Sequence, residues 1–263
     1  MTEIQKKYLL LHTFFYQTKH LTTMTVDLFI SCIMDQFYPD TAKNVVKVLN
    51  AADINVEYNS EQTCCGKFAF YSGFKEEAKE LGEKFLRDFH NDRPVVGVSA
   101  SCVAYIKTRY QELFYNTASH LEFKRIVSNI YELTDFLVNK ISRLDFGSEF
   151  PHKVVYQDCC SSLRDLHLRD EGRKLLSHVK GLELLEMQRP ELCCGFGSGF
   201  FSIQHEAISV AMAERKIQDA IATGAEYIVT NDVGCLLQLD SCIKKQSYNI
   251  EVVHIADVLA QGI

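Results

Sequence analysis

The chain is predicted to be an α/β protein of two pseudo-repeated α/β units. Each unit should hold a mainly parallel sheet with a cysteine-lined site at the strand C-terminal ends. Three observations predict this. Short apolar runs of strand length alternate with stretches of helical periodicity, the pattern of a parallel sheet with crossover helices. Two cysteine doublets each precede a glycine, at Cys64-Cys65-Gly66 and Cys193-Cys194-Gly195. The flanking cysteines keep register with them: Cys32 lies 32 residues before Cys64 and Cys160 lies 33 before Cys193. Cys102 follows Cys65 by 37 and Cys235 follows Cys194 by 41, so one array is written twice at an offset of 128 to 133.

The elements follow in order. The first strand is Val26 to Ser31, ending at Cys32. A helix is expected around 40–52, with Ala42, Val45, Val46 and Leu49 on one face. A short strand, Ile54 to Tyr58, leads to the first doublet, and helix 75–89 carries Ala78, Leu81, Phe85 and Phe89 inward. Strand Val95 to Val98 runs into Ser99-Ala100-Ser101-Cys102, and a helical stretch about 130–141 closes the half. The second half repeats the order: strand 153–157, a helix about 169–179, strand 182–186 and the second doublet. Helix 205–222 presents Val210, Ala213, Ile217 and Ile221, with Gly224 as its stop. Strand 227–230 precedes Cys235, and Ile250 to His254 forms a last strand before a C-terminal helix.

The linker Gly147-Ser148-Glu149-Phe150-Pro151 is the expected boundary, giving units 24–150 and 151–263. Residues 1–23 are expected to be an N-terminal extension outside the fold. Lys6-Lys7 and the run Tyr8 to Tyr16 imitate a signal peptide, but the run is short, His12 interrupts it and no small-residue cleavage site follows.

Composition narrows the class. At 263 residues and 47% hydrophobic, the chain can bury proper cores without disulfide staples. Ten cysteines in such a chain point to metal or redox chemistry in a reducing, cytoplasmic setting. A net charge of −6 with interspersed signs argues against a nucleic-acid partner, and no apolar run approaches the length of a transmembrane segment.

Adjacent cysteines bridge one another only with strain, so each doublet makes better sense aimed at a shared third object. Ligands of open α/β sheets bind beyond the carboxyl ends of strands, and each array cysteine falls there. Three loops per unit can therefore gather four sulfurs: Cys32, Cys64, Cys65 and Cys102 in one, Cys160, Cys193, Cys194 and Cys235 in the other. Four thiolates suit zinc or an iron–sulfur cluster. Wide ligand spacing without a Cys-x-x-Cys knuckle favours the bulkier cluster. Gly66, Gly195, Gly197 and Gly199 would let backbone N–H groups approach cluster sulfides.

Leu28-Phe29-Ile30-Ser31-Cys32, Thr63-Cys64-Cys65-Gly66, Ser99-Ala100-Ser101-Cys102, Tyr156-Gln157-Asp158-Cys159-Cys160, Glu191 to Gly197 and Gly234-Cys235-Leu236 together resemble the cysteine-rich CCG-domain iron–sulfur proteins. The chain is most similar to the lactate-utilization branch, and more distantly to glycolate oxidase and heterodisulfide reductase subunits. The resemblance runs from about Met24 to the C-terminus. It implies two [4Fe–4S] clusters on the eight array cysteines, zinc being the alternative. It implies an electron-transfer subunit of an L-lactate (2-hydroxy acid) oxidation complex rather than a complete enzyme. Its partners would be the other subunits, including a ferredoxin-type iron–sulfur protein, with any membrane association peripheral and through those partners. The rival functions are a non-redox zinc-stabilised scaffold of such a complex and a disulfide-reducing subunit.

The chain departs from the family at Gln157-Asp158-Cys159-Cys160-Ser161, where His-Asp-Ser-Cys-His is usual. Register then implies that Cys160 is the ligand and Cys159 takes the serine position. The heterodisulfide reductase relatives carry a fifth cysteine where this chain has Ser99 and Asp232, so four thiolates per unit are expected here. Cys242 and Cys159 are read as small buried hydrophobes. His205, Asp158 and Arg164 are read as local structure, and the Gly195-x-Gly197-x-Gly199 run lacks the spacing of a dinucleotide loop.

Overall fold

The computed structural model describes residues 24–263, so the expected extension 1–23 lies outside the described residues. Two four-stranded sheets form with the same topology. In the first, β1 (Met24–Phe29), β2 (Ile54–Glu57), β3 (Val95–Gly97) and β4 (Ile130–Glu132) lie in the order β2-β1-β3-β4. In the second, β5 (Lys153–Gln157), β6 (Glu183–Leu185), β7 (Tyr227–Thr230) and β8 (Glu251–His254) lie in the order β6-β5-β7-β8. Every strand pairing within them is parallel. The chain leaves β1 toward β2 on one side and returns to β3 on the other, so each sheet has a switch point beside its first strand.

Period-two alternation decides what each strand face covers. Val26, Leu28, Val96, Val154, Tyr156 and Val229 belong to one core cluster that both halves share. Helices Pro39–Ala51 and Ile255–Leu259 pack within it, burying Val45, Leu49, Val258 and Leu259. Asp257 fastens this seam, accepting from Thr41 Oγ1 at 2.9 Å and Asn44 Nδ2 at 2.8 Å. The opposite faces differ. Phe29, Phe85, Phe89, Tyr105, Tyr110 and Phe114 make an aromatic outer core in the first half. The second half instead uses Val155, Ala213, Ile217, Ile228 and Leu239.

Strands 153–157 and 227–230 form as read from the sequence. The stretch 130–141 does not form one helix: it opens as β4, whose three residues pair with β3, and only Leu133–Lys140 is helical. Three residues are too few for a period to declare itself, and the pairing that makes them a strand is non-local. The helix expected at 169–179 is shorter, Glu171–Leu176. Helices Ala100–Phe114 and Val233–Gln246 were not expected. Nine of the fifteen residues of Ala100–Phe114 are buried, on more than one face, so no clean amphipathic stripe marks it. For Val233–Gln246 the available signal was its N-cap, Asp232.

Candidate metal centres

Each array cysteine sits where a strand hands over to a helix. Cys32 and Cys160 are the first residues of helices Cys32–Phe37 and Cys160–Arg164. Cys102 and Cys235 are the third residues of Ala100–Phe114 and Val233–Gln246, whose positive N-terminal ends favour thiolate charge. Both doublets end in a left-handed glycine, φ +87° at Gly66 and at Gly195. A Cβ at Gly66 would lie 2.8 Å from the Ala78 carbonyl oxygen, and at Gly195 2.4 Å from that of Ser209. Only glycine closes this turn, and the turn places a backbone N–H on the first sulfur of each doublet. Gly66 N donates to Cys64 Sγ and Gly195 N to Cys193 Sγ, each at 3.4 Å.

The structure brings the first predicted set together. Cys32 Sγ and Cys64 Sγ are 3.7 Å apart, Cys64 interacts with Cys65, and Cys65 with Cys102. The hydrogen bond with Cys32, then that with Cys65, pulls the Cys64 thiol down to about 3; the same bond with Cys64 pushes Cys32 up. These four cysteines line a cavity of about 200 Å³ with Ser31, Lys67, Phe68, Phe196 and Val233.

The second set also converges, and it has a fifth member. Cys194 Sγ and Cys235 Sγ are 3.1 Å apart, and Cys193 interacts with both Cys160 and Cys194. Cys159, expected to be a buried hydrophobe, is buried as a core residue should be. Its sulfur nevertheless interacts with Cys160 and Cys235, which closes the set into a ring. Asp232 lies beside it, its oxygen within 4.8 Å of the sulfurs of Cys159 and Cys235. Hydrogen bonding with Cys193, then with Cys235, draws the Cys194 thiol down to about 6. Cys242 is buried in the outer core of the second half.

Asp232 is better read as a bracket than as a ligand, because both its oxygens are fully engaged. Oδ1 accepts from the Gly234 and Cys235 backbone N–H groups at 3.0 and 3.1 Å. Oδ2 accepts from Ser99 Oγ and the Ser101 N–H, each at 2.8 Å. The two third-loop segments therefore meet, and Ala100 N donates to the Asn231 carbonyl at 3.2 Å. Lys67, which the sequence reading passed over, is buried at this junction and donates to Ser101 Oγ at 2.5 Å. Burial works against its charge, but Cys102, Asp232, Cys65 and Cys159 outweigh it and hold the ammonium charged.

Three readings of local structure are resolved. Asp158 forms a bidentate ion pair with Arg173 at 2.7 and 2.8 Å, and Arg173 also holds Glu186. His205 stands at the N-cap position of helix Glu206–Ile221, without a capping bond from its side chain. Gly197 and Gly199 shape the turn into helix Phe200–Gln204.

The donor set fits a thiophilic metal group, since the first ring offers sulfur alone and the second sulfur flanked by a satisfied carboxylate. The Ser31 hydroxyl supports the fit: its buried oxygen has no hydrogen-bond partner among the described residues, and Ser31 lines the four-cysteine cavity. Cluster sulfides would accept from such a donor.

Residues 26–107 and 154–240 each match the family model of the cysteine-rich domain, CCG. A lactate utilization protein A 2 of Bacillus cereus is 36% identical over 246 residues, 91% of this chain and 99% of that protein. A lactate utilization protein A of Oceanobacillus iheyensis is 37% identical over 237 residues, 90% of this chain and 96% of that protein. A crystal structure of a hypothetical protein from Helicobacter pylori superposes with a TM-score of 0.63 at 10% identity. It covers 100% of this chain and 55% of its own, and it speaks to the fold alone.

Proposed function

Because this chain belongs to the cysteine-rich CCG domain family, we propose that it is the iron–sulfur electron-transfer subunit of a lactate utilization system. The observation that carries the reading is the repeated site. Two sets of sulfurs, more than thirty residues apart in sequence, converge past the ends of two parallel sheets with one glycine turn and one N–H···S contact. Cys32, Cys64, Cys65 and Cys102 would hold one cluster, and Cys160, Cys193, Cys194 and Cys235 the other. Bound there, [4Fe–4S] groups would supply one-electron transfer without proton chemistry. The protein's own part is to fix the thiolates, donate N–H and O–H groups to sulfur, and set the local charge.

A subunit of this kind works with partners, among them a ferredoxin-type iron–sulfur protein and the component that oxidises the hydroxy acid. Large apolar side chains stand exposed on the short helices that follow the cysteine loops: Phe37, Phe68, Phe200 and Ile203. Exposed apolar surface of this sort suits docking. No helix among the described residues is long and apolar enough to cross a membrane, and ten free thiols suit the cytoplasm. We place the division into units at 150/151, in the stretch between the two family matches.

One distance favours a second reading. Sulfurs on a single tetrahedral zinc, with bonds of about 2.3 Å, stand about 3.8 Å apart, and Cys32 and Cys64 stand 3.7 Å apart. Anaerobic purification with iron, sulfide and zinc analysis separates the two. About eight irons per chain with matching sulfide supports the clusters; stoichiometric zinc without sulfide makes the protein a scaffold. The lactate role is tested by complementing a bacterium that lacks its own lactate-utilization iron–sulfur subunit. Growth on L-lactate should return with this chain and fail with Cys65→Ser.

A further inference from the structure

Three pairs of equivalent positions around the two sites differ in charge or in sulfur. After each doublet glycine stands Lys67 in the first half and Phe196 in the second. At the N-cap of each third-loop helix stands Ser99 in the first and Asp232 in the second. Before the first array cysteine stands Ser31 in the first and Cys159 in the second. The first two differences make the second site electrically more negative than the first, whereas Cys159, its thiol pushed up by its bond with Cys160 and by burial, adds sulfur without charge. Lys67 lines the first four-cysteine cavity and acts on Cys64 and Cys102, while Asp232 acts on Cys159 and Cys160. Standing between the sites, Asp232 also acts on Cys102 and Lys67 also interacts with Cys159.

We propose that Lys67 is a positioning residue that holds the first cysteine site at a higher reduction potential than the second. The inference rests on the iron–sulfur reading above. A buried cation beside a redox group stabilises the form carrying the extra electron, and a buried carboxylate opposes it. Both effects are stronger in a low-dielectric interior than in water, and net local charge is one of the terms that set cluster potentials. Lys67 is 7% exposed and its ammonium is tied to Ser101, whose N–H binds Asp232, so the cation and the anion are held in a fixed order between the sites. The second half has its own buried lysine, Lys216, but its ammonium is committed to the Pro190 carbonyl at 2.7 Å. Asp158 and Asp219 act on it more strongly than Cys235 and Cys194 do. Lys216 therefore does not match Lys67 in its hold on a cysteine ring.

The test is an EPR-monitored dithionite titration of the full chain, loaded anaerobically, with Cys65→Ser and Cys194→Ser assigning each signal to its site. The first site should be reduced at the higher potential. Lys67→Met should shift that potential downward and narrow the gap, while Lys67→Arg should restore it, which a purely packing role would not do. A first site at or below the second in the parent protein, or a gap unmoved in Lys67→Met, overturns the inference. Where Lys67→Met does not load, Asp232→Asn decides. It keeps the helix cap and removes the charge, so the second site should rise, and an unmoved potential again overturns the inference. A parent protein with no iron and no sulfide fails the iron–sulfur reading itself, and this inference with it; loaded protein with unmoved potentials fails this inference alone.

Discussion

In the first half the doublet turn is followed by a buried lysine, and in the second by Phe196, which packs against Gly234. Along the helix behind each turn the exchange is reversed. The backbone that blocks a Cβ at the doublet glycine is Ala78 in the first half and Ser209 in the second. Counting on from there, Phe85 and Lys216 are equivalent, and both are buried. Each half thus carries one buried lysine and one buried aromatic behind its doublet, in swapped places. Topology, turn and N–H···S contact repeat, whereas the charge does not. Duplication preserved what backbone geometry demands and left side chains free to diverge wherever only volume had to be filled.

The largest test of this comparison is the fifth sulfur. Cys160→Ser is expected to remove the second cluster, about half the iron, because Cys160 joins Cys193 to the ring. Cys159→Ser should keep most of it, and the corresponding Ser31→Cys should not raise the iron content of the first site. Iron loss only in Cys159→Ser would exchange the two roles. Equal partial loss would make the second site a five-thiolate centre unlike the first.

The glycine turns come next and should behave alike. Gly66→Ala and Gly195→Ala place a Cβ at φ +87°, where it meets backbone oxygen at 2.8 and 2.4 Å. Each is expected to destabilise the protein by about 3 kcal/mol from strain and overpacking together, with Gly195→Ala the worse. Thermal or urea unfolding checks it, and a neutral substitution at either site would break the equivalence of the turns.

The smallest test concerns the ends of the outermost strands. Glu132 closes β4 and His254 closes β8, and each buried side chain caps the helix that follows. Burial raises Glu132 to about 8, against the hydrogen bonds from Thr134, and burial lowers His254 from 6.5. The stability tied to neutral Glu132 is complete below pH 4.5 and is lost as pH rises toward about 8. That tied to neutral His254 is present above pH 6.5 and is lost as pH falls. Relative to Glu132→Gln, the parent protein should lose at most about 1.4 kcal/mol per pH unit across the first window. Relative to His254→Gln it should lose stability in the acid direction. Parallel urea-midpoint profiles would show that the caps do not titrate as burial requires.

Much of the site was legible because cysteine spacing survives without any knowledge of packing. The eight array positions, the two parallel sheets and the glycine turns all follow from register, strand length and the steric limits on φ, which are local. What remained hidden depended on contacts far apart in sequence. Helix Ala100–Phe114 is buried on too many faces to show a stripe, and the short strand β4 exists only through β3. Cys159 was assigned to the core because register and the family resemblance give the ligand position to Cys160 and a free cysteine is commonly a small buried hydrophobe. It is instead the extended N-cap of a helix that Cys160 begins, where the backbone turns and both sulfurs enter one ring. Lys67 carries no signal beyond being a lysine in a loop. Its place was decided by Ser101, 34 residues away, and by Asp232 of the other half, because a buried charge is stable only where tertiary structure assembles its partners.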